Sequence, residues 1–406
     1  MDYTLLKELL NLPRVQVEDF KQTEHEILIT VSIGYNQHRC PKCGHKFSRV
    51  SEITESRVRD LPVFGKTCYL LIRKGRLHCP CSFRGYEEID FVDKNQRQTK
   101  RFDEFLFALC DRMTLMDASE LMRVNWKRAH DIDKKTLNKL KVETPLPQLS
   151  VIGVDEISFE KYHKYFTIVY DLSTKKGVLF VSKGRNKESL DEFFKELSKT
   201  QKQNLKAVCM DMWDPYIKSV KESIPHVAIV FDRFHLKKHL NSCIDDLRRS
   251  IAREQGLSKE ERKILKNKRW VLLKTQQNHT LKDKQSLEEL KKINSPLYEG
   301  YLIKEQFEQF YVSENEKQGK QFIQDWFIQI PESIKAFFEP FFRLLQRYLF
   351  GITAFFQFRY TNSIAEGINN KIKVLKRMAY GYHDQEYFKL KILRKCGYLK
   401  FIKPNF

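Results

Sequence analysis

The run "VIGVDEISFEKYHKYFTIVYDLSTKKGVLFVSKG", Val151 to Gly184, decides how the chain is read. It holds three apolar stretches rich in β-branched and aromatic residues, VIGVDEISF, YFTIVYDL and GVLFVSKG, at hairpin-like spacing, which predicts three consecutive strands. Downstream the period changes. KESLDEFFKELSK is amphipathic at helical spacing, KAVCMD is strand-like, PYIKSVKESI helical and HVAIVFD strand-like again. Three strands followed by alternating helices and strands predict a mixed α/β sheet. Asp155 interrupts the first strand, where a lone buried charge is costly and needs a cation or a donor network. Asp211 closes the fourth strand, and in a mixed sheet the two positions can fall on adjacent strands.

A third carboxylate arrives far downstream in "TNSIAEGINNKIKVLKRMAYGYHD", Thr361 to Asp384. At 3.6 residues per turn, Ile364, Ile368, Ile372 and Leu375 form one stripe, and Glu366, Asn370, Lys373 and Arg377 the opposite one. Ser363 and Glu366 fit a capping box, which explains the glutamate locally. Together with Asp155 and Asp211, however, Glu366 would complete an oxygen-rich site for hard Mg²⁺ or Mn²⁺ ions. Two such ions about 3.5 to 4 Å apart activate water or a 3′-hydroxyl and stabilise the leaving oxygen in phosphoryl transfer. Rivals for the second aspartate exist. Asp171 and Asp214 read as hairpin or N-cap residues, whereas Asp232, three positions before His235, ranks second to Asp211. Asp232 and His235 are alternatively a pair that braces the site from outside, and His235 alone also reads as a satisfied core histidine.

Upstream, "CPKCGHKF" supplies Cys40 and Cys43, and "HCPC" supplies Cys79 and Cys81 after 35 further residues. Two chain reversals that each present two thiolates suit one tetrahedral, structural Zn²⁺, with His78 as the substitute for one thiolate. Residues 98–140 turn helical as RFDEFLFALCDRM, DASELMR and WKRAHDIDKKTLNKL, a spacing that suits a helix-turn-helix. Its second helix opens with Trp126, Lys127, Arg128 and His130, side chains suited to phosphates and base edges. KVETPLPQL then reads as a linker.

The 406 residues carry 73 Lys and Arg against 52 Asp and Glu, a net charge of +21. That excess favours a polyanionic partner, most simply nucleic acid. The opening lacks the basic leader and apolar core of a secretory signal, so a cytoplasmic, nucleoid-associated location is expected. The most apolar segment, AFFEPFFRLLQRYLFGITAFFQF (Ala336 to Phe358), carries Glu339, Arg343 and Arg347 and is read as buried helix rather than membrane span. From Arg233 to Tyr360 the text is helical and basic, with turns expected at INSPLYEG and QIPES. Trp270, after the basic run KNKR, is the aromatic there expected to stay accessible and touch DNA.

Zinc ribbon, helix-turn-helix, VIGVDEISF, CMDMWDPY, FDRFHLKKHL and NSIAEGINNKIKVLKRMAYGYHD, in that order, resemble the DDE transposases of bacterial insertion sequences, specifically the ISL-three family. The resemblance spans nearly the whole chain. It implies a ribonuclease-H-like core interrupted by a helical insertion, an acidic triad on Asp155, Asp211 and Glu366, and two Mg²⁺ or Mn²⁺ ions. It also implies that Asn370, Lys373, Lys376 and Arg377 meet DNA phosphates. The short CPC departs from the wider cysteine pair of relatives. The expected multidomain α+β and α/β organisation is a zinc-ribbon domain at 1–95, helix-turn-helix at 96–145, catalytic core at 146–240 and 356–406, and helical insertion at 241–355. The expected partners are double-stranded DNA, as terminal inverted repeats and target, and at least one further copy of the chain. A DNA-binding regulator with an inactive core, and a nuclease or resolvase without strand joining, are the competing functions.

Overall fold

The computed structural model describes residues 3–33, 38–160, 164–174, 177–253, 258–361 and 363–399, with only the backbone at Ile293 and Ser363. The capping-box reading of Ser363 therefore lies outside the described residues. The chain forms two compact units, one built from the chain up to Thr144 and from Lys376–Leu390, the other from Pro145–Leu375 and Lys391–Lys400.

The first unit opens with a short helix, α1 (Thr4–Leu10). Seven strands follow: β1 (Val15–Gln22), β2 (Glu26–Ile33), β3 (His38–Arg39), β4 (Lys46–Phe47), β5 (Glu52–Val63), β6 (Lys66–His78) and β7 (Arg84–Tyr86). The main sheet has the order β1-β2-β6-β5, with β7 on β6, and β3-β4 is a separate two-stranded ribbon. Alternation in β2 and β6 turns Ile27, Ile29, Val31, Leu70 and Ile72 into one core. Fully burying each such side chain stabilises the fold by about 1.5–3 kcal/mol. Helices α2 (Lys100–Cys110), α3 (Leu115–Leu121) and α4 (Trp126–Glu143) come next, each opened by a side-chain cap from Thr99, Thr114 or Asn125. Buried Asp60 in β5 accepts from Thr99 Oγ1 and Arg101 Nε, both at 2.8 Å, and so fastens α2 to the sheet. The helix α4 runs into KVETPLPQL as far as Glu143, so the extended linker is shorter than the prolines suggested.

The second unit carries the sheet that the opening run predicts. Strands β8 (Val151–Glu160), β9 (Lys164–Asp171) and β10 (Gly177–Lys183) form an antiparallel meander. After α5 (Lys187–Glu196) and α6 (Lys199–Asn204), β11 (Ala207–Met210) pairs parallel with β8, and after α7 (Asp214–Ser223), β12 (Ala228–Phe231) pairs parallel with β11. The order β10-β9-β8-β11-β12 is that of a ribonuclease-H-like core.

Beyond β12 the chain is helical: α8 (Arg233–Ile251), α9 (Lys259–Asn267), α10 (Arg269–Leu273), α11 (Leu281–Ile293), α12 (Ser295–Gln306), α13 (Glu316–Ile328), α14 (Glu332–Arg347), α15 (Leu349–Thr353) and α16 (Phe355–Phe358). The turn expected at INSPLYEG falls at Asn294, between α11 and α12; Asn294 caps α12 and Pro296 sits in its first turn, where a missing N–H costs nothing. The apolar stretch 336–358 is three helices, and none among the described residues is long and apolar enough to cross a membrane. Its Phe338, Phe341, Leu345, Ile352 and Phe356 join one continuous core with Ile152, Val208 and Phe231 of the sheet. At Gly351 a Cβ would stand 2.4 Å from the Phe231 ring, so only glycine lets α15 lie this close to the end of β12. The last helices are α17 (Ser363–Met378) and α18 (Gln385–Cys396).

Candidate active site

Register brings the carboxylates together. In the parallel pairs, Cys209 stands level with Gly153 and Met210 with Phe231. Carried on at the same register, Asp211 falls level with Asp155 on one side and Asp232 on the other. The Asp232 amide still donates to the Met210 carbonyl at 3.0 Å, so the ladder reaches that row. The side chains converge accordingly: ligand atoms of Asp155, Glu156 and Asp211 lie within 4.8 Å of one another, as do those of Asp211, Asp232 and His235. This row sits where parallel strands end, the usual place for a site in an α/β sheet.

Their environments differ. Asp155 accepts from Asn369 Nδ2 at 2.8 Å and from the Glu156 amide at 2.8 Å. Burial first, and the charge of Asp211 second, push its carboxyl up to about 7, against the pull of His235. Asp211 accepts from His235 Nε2 at 3.0 Å through one oxygen, while its other oxygen, Oδ1, is buried without a partner among the described residues. Burial, the largest single influence, opposes the charged His235 ring, but the Asp211 hydrogen bond and the charges of Asp211, Asp232 and Asp155 together hold it above its usual value. Asp232 caps α8, accepting from the Phe234 amide at 3.4 Å. Asp171 and Asp214 are engaged elsewhere. Asp171 closes a turn onto Ser173 and Thr174, and Asp214 is the first residue of α7 rather than its cap, held by Arg347 and Tyr348.

Helix α17 presents the expected faces, with Ala365 and Ile372 buried and Glu366, Asn370, Lys373 and Arg377 exposed. Glu366, Asn369, Asn370 and Lys373 line a cavity of about 530 Å³ with Asp155, Asp232 and His235. Glu366 shares that cavity but is not in the tight carboxylate groups. The α17 side chain that touches Asp155 is Asn369, which also accepts from the Tyr170 hydroxyl at 2.5 Å. Sequence reading missed Asn369, although its place one turn after Glu366 was a signal. It also missed Glu156, whose carboxylate pairs with Arg185 at 3.1 Å while that guanidinium stacks over Trp213 at 4.2 Å.

The carboxylate set fits a hard divalent cation: three oxygen donors at one level, one carboxyl destabilised as an anion, and one buried oxygen lacking a donor. The cysteines fit zinc. Cys40, Cys43, Cys79 and Cys81 form one group, with Sγ atoms 3.7 Å apart for Cys40–Cys81 and 3.4 Å for Cys43–Cys79. A zinc–sulfur bond of about 2.3 Å in a tetrahedron places sulfurs roughly 3.8 Å apart. The tight CPC spacing thus delivers both thiolates, and His78, exposed, is outside the group. In α4, Trp126 and Lys127 are exposed, whereas Arg128 donates to Gln96 and Gln98, and His130 stacks on Trp126. Trp270 is 69% exposed, with the Arg269 guanidinium 5.1 Å from its ring.

Three family models match the chain. Residues 152–392 match the ISL3 DDE family described as "Transposase", 87–136 the helix-turn-helix domain of transposase family ISL3, and 36–81 the zinc-finger of transposase IS204/IS1001/IS1096/IS1165. The chain belongs to the ISL3 family of transposases. It is 32% identical over 355 residues, 87% of each chain, to the transposase for insertion sequence element IS1001 of Bordetella parapertussis. It is 24% identical over 373 residues, 86% of this chain and 83% of the relative, to the transposase for insertion sequence element IS1557 of Mycobacterium tuberculosis. For this ISL3 family member, membership implies a DNA-modifying enzyme, its helix-turn-helix implies DNA binding, and its zinc-finger match with the four-cysteine group implies zinc.

Proposed function

We propose that the chain binds the terminal inverted repeats of its insertion sequence, cleaves the element ends and joins the resulting 3′-hydroxyls to target DNA. The observation that carries the reading is the level row of carboxylates on β8 and just beyond β11 and β12, of which Asp155 and Asp232 line one cavity with Glu366. Asp155, Asp211 and Glu366 are the proposed ligands of two Mg²⁺ or Mn²⁺ ions. When bound, these ions supply Lewis-acid activation of the attacking oxygen and stabilisation of the leaving one. The chain's own groups do the rest. Asn369 holds the Asp155 carboxylate in orientation through Nδ2, with its amide fixed in turn by Tyr170. His235 holds Asp211 in the same way. Lys373 and Asn370, on the cavity wall, are placed to bind phosphate oxygens, with Lys376 and Arg377 extending that basic line.

Asp232 is kept as the alternative second ligand because it gathers with Asp211 and His235. Trp126 and Lys127 are the proposed DNA-facing residues of α4, and Arg128 acts there by holding Gln96 and Gln98. Trp270 is a proposed contact to DNA near the cleavage point. The functional division is proposed as zinc ribbon (1–95), helix-turn-helix (96–145), core (146–240 and 356–406) and insertion (241–355), working as a dimer or higher on paired ends. The test is a strand-transfer assay on duplex element ends with a target plasmid. Joined products support the transposase, cleavage without joining supports the nuclease, and binding without cleavage supports the regulator.

A further inference from the structure

Phe234 does not belong to the apolar stripe of its helix. In α8 the buried apolar positions are Leu236, Leu240, Cys243, Ile244, Leu247 and Ile251, whereas Phe234 is 64% exposed and lines the cavity with Asp155, Glu366 and Lys373. An isolated exposed apolar side chain is ordinary on an open surface. This ring instead stands in a recess whose other lining side chains are all polar or charged, where it leaves apolar area in water and adds nothing to the core. It is also braced. Its edge meets the His235 ring at 5.6 Å and 76°, and that imidazole is fixed by Asp211. On either side of it along α8, Arg233 and Lys237 are both tied to Glu308, the latter at 2.7 Å. The free cavity of about 530 Å³ lies in the range of pockets that hold a ligand of nucleotide size.

We infer that Phe234 is a positioning residue that stacks on the nucleobase adjoining the scissile phosphate, after that base has left the duplex stack. A planar π-face beside a phosphate-binding lysine matches the two parts of a nucleotide, and stacking on an aromatic ring accepts any base. The inference rests on the cleavage reading above and adds to it a DNA distortion and the residue that captures it. Stacking of this kind favours the unpaired state and so accelerates cleavage only where unpairing is still to be achieved.

The test compares the intact protein with Phe234→Ala and Phe234→Tyr on duplexes carrying the element end from the DNA flanking its gene, in Mg²⁺. One duplex is fully paired and the other mismatched at the cleavage position. Phe234→Ala is expected to cut the paired end about tenfold more slowly and the mismatched end within about twofold of the intact protein, with Phe234→Tyr close to the intact protein on both. Equal rates for Phe234→Ala and the intact protein on the paired end overturn the inference. So does an equal loss on both duplexes, or a fall of several degrees in the melting temperature of Phe234→Ala, since either makes the ring structural. An intact protein that cuts neither duplex removes the cleavage reading itself, a result distinguishable from all of these.

Discussion

Asp155 bears a burden that a fold alone would not select. A carboxyl pushed up to about 7 costs stability whenever it is ionised, and here the causes are burial and a second carboxylate at the neighbouring strand end. Because the folded-state value lies above the unfolded one, the folded protein binds the extra proton between about pH 4 and pH 7, and metal-free stability falls as pH rises through that window. Asp155→Asn is therefore expected to stabilise the metal-free protein at pH 8 by on the order of 2 kcal/mol, read by chemical denaturation, while abolishing cleavage. A variant no more stable than the parent would show that the carboxylate is not held against its preference. Asp155→Ala, Asp211→Ala and Glu366→Ala are each expected to reduce cleavage at least about a thousandfold and leave end binding nearly intact, since they remove ligands and not phosphate contacts. Activity retained in Asp211→Ala and lost in Asp232→Ala would transfer the second position to Asp232. The aspartates were legible because a charge inside an apolar strand pattern stands out. Asn369 was not: residues 369 and 370 straddle the helix face set by Glu366, and which one turns to Asp155 depends on how Ile372 and Ala365 seat α17.

At the scale of elements, the meander β8-β9-β10 and the parallel additions β11 and β12 followed from strand periodicity, but the level row of carboxylates needed the strand order as well. A two-residue ribbon strand such as β3 or β4 has too little pattern to be read, and the order β1-β2-β6-β5, with β2 parallel to β6, depends on long-range pairing that strand periodicity does not carry. That sheet has its own core, which the zinc-binding cysteines do not enter. Cys40→Ser or Cys79→Ser is thus expected to lose the single zinc and unfold the β3-β4 ribbon. The sheet should persist, checked by metal analysis together with hydrogen exchange. Full retention of zinc in Cys79→Ser would remove that residue from the ligand set. Gly351→Ala probes a different junction, where the new methyl group meets the Phe231 ring beside Asp232. A loss of about 1–3 kcal/mol in unfolding free energy is expected from this overpacking, and an unchanged value would mean that α15 shifts freely.

For the whole molecule, the net charge of +21 and the insertion have to be explained together. Within the expected insertion, 241–355, Ile244, Phe338 and Ile352 share one core with Val208 and Phe231 of the catalytic sheet. Removing residues 241–350 would strip that core, so the role of the insertion is better read from Trp270, which is exposed and costs no packing. Trp270→Ala is expected to weaken binding to ends unpaired at the cleavage point by about tenfold without lowering the melting temperature. Unchanged binding would free the tryptophan from that role. The central claim is that the carboxylate row acts with Glu366 as one centre for cutting and joining DNA. The measurement that tests it most directly is strand transfer of pre-cut element ends into a plasmid in Mg²⁺, which isolates the joining step from end recognition. Joined products are expected with the intact protein and none with Glu366→Ala at equal end occupancy. Undiminished joining by Glu366→Ala would contradict the claim.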